Sequence, residues 1–373
     1  MKLIFDVSDK PKAGQLVVFA LQQMLAILAA TIAVPLIIGN GLTTAAAMFG
    51  AGVGTIVYIL FTKRKSPVFL GSSFAFLGSM AAAFAGGVSM QLGMLGLIVG
   101  AFLAGLVYVV IAIVVKFVGV GWLNKLMPAV VIGPTVAIIG LSLAGNAIGD
   151  LVKGDVTKQV TEYAVSTDSG TPEIIETVSN VPVGSSYVAL ICGLITLAVV
   201  MLCSTYGKKT LRLIPFIIGI LAGYAAAAIF TVIGNICDID ALKIVDFSVF
   251  SSYMLTDGSV SLKTFVSLPD FAFVSGLKGL KEFDFTYFAT IFVAYVPVAL
   301  VVFAEHVADH KNLSSIIDHD LLEEPGLTRT LLGDGVGSIA GALFGGCPNT
   351  TYGESVACVA ITGNASVVTI FAA

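Results

Sequence analysis

Charged residues are scarce in this chain, 11% of 373 residues against about 25% in a soluble domain. The apolar fraction is 57%, where a soluble domain holds about 45–50%. That excess is too large for one core, so a water-soluble fold is excluded and the chain reads as an integral membrane protein. Five cysteines, Cys192, Cys203, Cys237, Cys347 and Cys358, show no CxxC spacing. A disulfide frame and a cysteine metal site are therefore unsupported, and the cysteines read as packing residues. The three histidines crowd into 306–319, and no HExxH or GxSxG accompanies them, which argues against a membrane-embedded enzyme. No basic patch points to nucleic acid. The N-terminal "MKLIFDVSDKPKAG" has too short an apolar run, interrupted by an acid, for a signal peptide.

What is abundant is spanning-length apolar sequence, each span needing about 20 residues. Runs lie at roughly 14–39, 42–62, 68–86, 88–117, 123–149, 186–204, 211–235 and 286–306. Shorter runs follow at about 331–345, 353–363 and 366–373. Two polar stretches, about 150–185 and 236–285, read as loops on one side. With the N-terminus inside, the inner segments hold 13 of the 19 Lys and Arg residues, including Lys63–Arg64–Lys65. The positive-inside rule thus favours a cytoplasmic N-terminus and seven spans before the loop at 236–285. Dense small residues, as in "GAGVG" at 50–54 and "AGYAAAA" at 222–228, indicate a closely packed bundle. Pro35, Pro128, Pro134, Pro215 and Pro297 read as tolerated kinks. The final "SVVTIFAA" is too short to span, so the expectation is a chain lacking its C-terminal part.

Two segments are interrupted. "SPVFLGSSFAFLGSM", 66–80, and "GGCPNTTYGESVACVAITG", 345–363, each begin with Pro and pass through small or hydroxylated residues. Ser72 and Ser73 precede Phe74, and Asn349 to Thr351 precede Tyr352. Ser, Thr and Asn are N-cap residues. Each segment therefore reads as a short extended piece leading into a half-helix. Two readings are open: tight turns near the surface, or half-helix starts at membrane depth. In the second, free amides and partial positive charge face a ligand. Paired interruptions in two halves are the sequence pointer to a transporter site.

Acidic residues supply the other half of such a site. In "VVFAEHVADHKN", Glu305 and Asp309 share one helix face, with His306 and His310 stacked beside them. Hydropathy alone puts Glu305 near the cytoplasmic edge; a helix that continues past Asp309 would place it deeper. Glu354 opens the second half-helix, and an intramembrane carboxylate is a functional candidate by default. A carboxylate accepts N–H donors while half-helix amides donate to carbonyls. Together they complement a planar ring of alternating N–H and C=O groups, such as a pyrimidine base, with Phe74 or Tyr352 against its face.

These residues carry a resemblance. "YGESVACVAITG", "PVFLGSSFAF", "VFAEHV", "EEPGLTR" and "PNTTYGE" together resemble the nucleobase–ascorbate transporters, or nucleobase:cation symporters of type 2, in their bacterial uracil permease branch. The likeness runs from about residue 14 to the end. It implies an all-α membrane protein of inverted seven-segment repeats with two short antiparallel strands at mid-membrane. The core domain would comprise 14–117 and 286–373, and the first half of a gate domain 123–235, the rest of the gate being absent. It implies proton-coupled uptake of uracil across the bacterial inner membrane by alternating access, with no cofactor and the proton as coupling ion. The implied partners are the base, the lipid bilayer and a second copy in a homodimer. The implied base-binding set is Glu305, Glu354, Phe74, Gly353, Tyr352, Ser73 and Ala30, and the implied proton-coupling set Glu305, Asp309 and His310.

Four departures stand out. The family's first-segment Gln–His is Gln22–Gln23 here. Its Asn after the signature carboxylate is Ser355, and its Gly is Ala357. The uracil permeases' His one turn beyond Glu305 is replaced by Asp309, with His310 beside it. Glu at 354 favours uracil; xanthine, urate and other bases are the alternatives. An anion carrier of the same fold is disfavoured, because an anion would face two carboxylates.

Overall fold

The computed structural model describes residues 3–126, 128–142, 144–154, 156–166, 173–207, 211, 215–248 and 271–373. In lipid a backbone must satisfy its own hydrogen bonds, so apolar runs close into helices. Among the described residues, six helices are long and apolar enough to cross a membrane: α1 (Ala13–Ile38), α2 (Thr44–Phe61), α4 (Met90–Val118), α8 (Ser186–Tyr206), α9 (Pro215–Cys237) and α11 (Phe285–Ile317). The shorter elements are β1 (Leu70–Ser72), a 3-10 turn (Phe74–Phe76), α3 (Leu77–Ala83), α5 (Gly121–Leu126), α6 (Ala129–Ser142) and α7 (Ala144–Leu151). They continue with β2 (Thr157–Ser166), β3 (Glu173–Pro182), α10 (Ala272–Gly276), α12 (Leu327–Leu343), β4 (Asn349–Thr351), α13 (Gly353–Thr362) and α14 (Val367–Ala372).

Three sequence expectations change. The polar stretch 150–185 is an antiparallel hairpin of β2 and β3, paired from Thr157↔Pro182 to Ser166↔Glu173. Its composition is loop-like, but "VTEYAV" and "EIIETV" carry the β-branched residues of strands. The run 123–149 breaks at Pro128, which has no N–H to give, between α5 and α6, while α6 and α7 are separated only by residue 143, which lies outside the described residues. The second polar stretch is helical at its ends, with a turn at Asp240–Leu242 and α10 at Ala272–Gly276; residues 249–270 lie outside the described residues.

The chain divides into two units, 142–267 and the remainder. In the first of these, α8 packs on α9 around Ala189, Cys192, Ala227, Ile244 and Val245. Thr231 fastens the segment after α9 by accepting from the amides of Ile244 and Val245, both at 3.0 Å.

The larger unit is built on α12, which packs between α2 and α4. The contact is backbone to backbone. A Cβ on Gly54 would lie 2.8 Å from the Gly337 carbonyl, and one on Gly105 2.8 Å from that of Gly335. Without a hydrophobic drive between helices in lipid, this close approach is the source of attraction. α11 crosses α4 with the Tyr295 ring against Gly100, and the Tyr287 hydroxyl donates to the Ala83 carbonyl at 2.7 Å. α11 runs to Ile317, past Asp309, as the deeper reading of Glu305 requires.

β1 and β4 pair antiparallel as Leu70↔Thr351, Gly71↔Thr350 and Ser72↔Asn349. Strands of three residues do not stand alone. Every residue of both is buried, so each supplies the other's backbone with partners that water cannot provide there. The N-terminal residues form a strap across the far end of α13. Ile4 donates to the Gly363 carbonyl (2.7 Å), and Ala365 donates to that of Phe5 (2.9 Å). The Ser366 hydroxyl donates to the carbonyl of Asp9 at 2.6 Å. Leu3 and Val7 pack onto the core formed by Tyr58, Leu70, Leu313 and Val356.

Candidate functional site

Each strand of the pair runs on into a half-helix, the two leaving the ladder at opposite ends. After β1 the chain turns at Ser73, whose amide donates to the Pro348 carbonyl at 2.9 Å, and enters the 3-10 turn at Phe74. After β4 it enters α13 at Gly353, where the first helical bond runs from Val356 to the carbonyl of Tyr352 at 3.2 Å. The amides before that bond have no helical acceptor by position. Phe74 is half-buried and Gly353 exposed, and the 3-10 turn, β4 and α13 all pack on α11.

The expected capping does not occur. Neither Ser73 nor Tyr352, the residues at the two helix starts, caps with its side chain. Residues 349–351 lie in a strand and their side chains work elsewhere. Asn349 Nδ2 donates to the Gly50 carbonyl (3.0 Å) and sits between α2 and α12, where a Cβ on Gly54 would come within 2.4 Å of it. The Thr351 hydroxyl donates to Asp309 Oδ2 at 2.7 Å, joining β4 to α11. The hydroxyl of Ser73 is buried without a partner, and that of Ser72 is buried beside the Cys347 thiol.

Glu305 and Asp309 are half-buried on α11, and Glu354 half-buried on α13. Glu305 lies within electrostatic range of both Asp309 and Glu354. Tyr352 is in range of both glutamates, but it is 5% exposed and holds the strand. Its hydroxyl donates to the Ser72 carbonyl, and a Cβ on Gly71 would lie 2.4 Å from its ring. Ala30 is half-buried against the core that contains Tyr352 and Phe69. His310, by contrast, is fully buried on another face of α11 and bonded to the Tyr58 hydroxyl at 2.6 Å.

Glu305 and Glu354 are thus within electrostatic range of each other, and the starts of both half-helices, at Phe74 and Gly353, pack on the helix that carries Glu305. We expect Tyr352→Phe to fold but lose about 1 kcal/mol from the hydroxyl bond. A thermal-shift measurement in detergent checks this.

Two departures from the family pattern meet in space. Gln23 Nε2 donates to Ser355 Oγ, which also accepts from the Phe69 amide at 3.1 Å. The pair joins α1, α13 and the approach to β1.

One polar group was missed by the sequence reading. Asp334 on α12 has no solvent exposure and pairs with His306 Nδ1 at 2.7 Å. It is the single charge in the run 331–345. A lone acid in an apolar run is a signal in itself.

Residues 14–373 match the family described as the permease family. The chain is 34% identical over 363 residues to a uracil permease of Bacillus caldolyticus, covering 97% of this chain and 70% of that protein. It is 33% identical over 361 residues to a uracil permease of Bacillus subtilis (strain 168), covering 97% and 70%. With a uracil permease of Escherichia coli (strain K12) it shares 31% over 356 residues, covering 95% and 68%.

Proposed function

Because the chain belongs to the permease family, as one of the nucleobase–ascorbate transporters, we propose that it takes up uracil with protons by alternating access across the bacterial inner membrane. The observation that carries this reading is the packing of both half-helix starts, at Phe74 and Gly353, against α11, where a Cβ on Gly353 would lie 3.8 Å from Asp309 Oδ1 and Glu354 is within electrostatic range of Glu305. Uracil is planar and alternates N–H with C=O. Its N–H groups would donate to Glu305 and Glu354, and its carbonyls would accept from the amides at Phe74 and Gly353. Phe74 supplies the ring face. Ser73 and Ala30 shape the wall, and Tyr352 acts through the strand. Glu305 and Asp309 form the proton-linked acidic face; His310 has its bonding on another face.

The inverted-repeat reading draws support from element order. Helix, helix, short strand, half-helix and helix occur once as α1, α2, β1, α3 and α4. They recur as α11, α12, β4, α13 and α14. The two strands meeting antiparallel is what an in-plane pseudo-two-fold produces. We assign 14–117 and 286–373 to the core domain and 123–235 to the gate. The distribution of Lys and Arg favours a cytoplasmic N-terminus, and a homodimer is part of the same reading.

The test is uptake of labelled uracil into vesicles under an imposed proton gradient, with unlabelled bases as competitors. The expected result is accumulation that collapses when the gradient is dissipated and competes best with unlabelled uracil. Uptake unchanged between pH 5 and 9 (roughly full coverage of carboxyl and imidazole titration) would overturn the coupling. Better competition by xanthine or urate would overturn the substrate.

A further inference from the structure

His306 is next to Glu305 in sequence but its ring turns into the packing of α11 on α12. The ring and the Asp334 carboxylate are both fully buried. His306 Nδ1 is 2.7 Å from Asp334 Oδ2, and Nε2 is 3.0 Å from the Thr330 hydroxyl. That hydroxyl is also 3.1 Å from the Leu327 carbonyl.

These contacts admit two proton arrangements. In one, Thr330 donates to Leu327 and accepts from His306 Nε2–H, and a second proton is shared between Nδ1 and Oδ2. In the other, the Thr330 hydroxyl rotates and donates to Nε2, while Nδ1–H donates to an ionised Asp334. The ring keeps a partner on both nitrogens in each case. The two states differ by one proton and one unit of charge. Taking up a buried proton without orphaning a ring nitrogen avoids one penalty of a buried polar group, while Asp334 Oδ1 is buried without a partner.

The surroundings are defined. The His310 ring stacks on His306 at 4.1 Å and 30°, and Tyr108 meets it edge-on at 6.1 Å. His310 Nδ1 donates to the His306 carbonyl at 2.7 Å, so its Nε2 accepts from Tyr58. This chain ends on a carbonyl and orients His310; it does not carry protons onward. Asp334 is within electrostatic range of Glu305, Asp309, Tyr58 and Tyr108.

We propose that His306, Asp334 and Thr330 form a proton-loading site that is coupled to the base site through charge, without touching the base. The proposal rests on the proton-coupled reading above. Loaded, the His–Asp pair is neutral. Unloaded, it adds a negative charge to the low-dielectric region that holds Glu305 and Asp309. That charge opposes the ionised Glu305 needed to accept ring N–H groups. Loading therefore favours uracil, and uracil favours loading by the same factor.

The experiment uses the reconstituted protein in a weakly buffered medium. It measures proton uptake evoked by uracil, and separately uracil–uracil exchange without a gradient. Asp334→Asn is expected to retain exchange and lose about tenfold or more of the evoked proton uptake. Thr330→Val, which keeps the side-chain shape, is expected to move the pH midpoint of proton uptake by about one unit with exchange retained. It decides the matter where Asp334→Asn does not fold. Evoked uptake of wild-type size and midpoint in these variants would overturn the loading site and leave coupled transport standing. A wild-type protein that exchanges uracil but takes up no proton would overturn the coupled reading and this proposal together.

Discussion

Glu305→Gln is expected to lower the affinity for uracil by roughly a hundredfold, about 2.7 kcal/mol. The amide keeps the shape of the carboxylate but replaces a charged acceptor by a neutral one, and charge-assisted hydrogen bonds contribute about 1.5–3 kcal/mol. It also removes an ionisable carboxyl from the cluster that contains Asp309, Asp334 and Glu354. Stability should therefore hold or rise while binding falls, a split that loss of folding does not produce. Glu354→Gln should also weaken uracil binding without unfolding the protein. Equilibrium binding of labelled uracil to purified protein, with thermal stability measured in parallel, checks both. Binding that survives Glu305→Gln at wild-type strength would remove Glu305 from the site.

The second large effect is structural. Gly54→Ala should destabilise the larger unit by about 3 kcal/mol or more, as overpacking against unyielding atoms does. The new methyl would meet Asn349 Nδ2 at 2.4 Å and the Gly337 carbonyl at 2.8 Å. Backbone cannot swing aside, and Asn349 is the residue that holds β4 to α2. Gly52→Ala, two residues away on the same helix, is the control. No atom lies within 4 Å of its added methyl, and Ala is the better helix former by about 1 kcal/mol. Thermal stability in detergent should fall for the first and hold or rise for the second.

The contrast between these glycines shows what a sequence can and cannot carry. Both stand in "GAGVG", and pattern alone reads them alike. Hydropathy placed α1, α2, α4, α8 and α9 to within a few residues, because in lipid a backbone has few alternatives to a helix. The interruptions at Ser72 and at Asn349 to Thr351 were legible for the same reason: small polar residues have no cause to break an apolar run unless the backbone changes there. The use of their side chains was not legible. Asn349 and Thr351 look like caps, and only the packing of α2, α12 and α11 turns them into clamps. Asp334 hid in "LLGDGVGS" because its partner lies 28 residues back on another helix. The hairpin at 157–182 was obscured by composition, although its β-branched content marked it.

The register of β1 on β4 also sets a timetable. Leu70 meets Thr351, some 280 residues later in the chain. At about 5–20 residues per second, a ribosome needs roughly 15 seconds to a minute to span that interval. Throughout it the first half-helix has been made while the strand that completes its backbone has not. Closing of this strand pair is thus a late event in biogenesis, and the interval of synthesis between its two strands sets the earliest moment at which the backbone around it is complete.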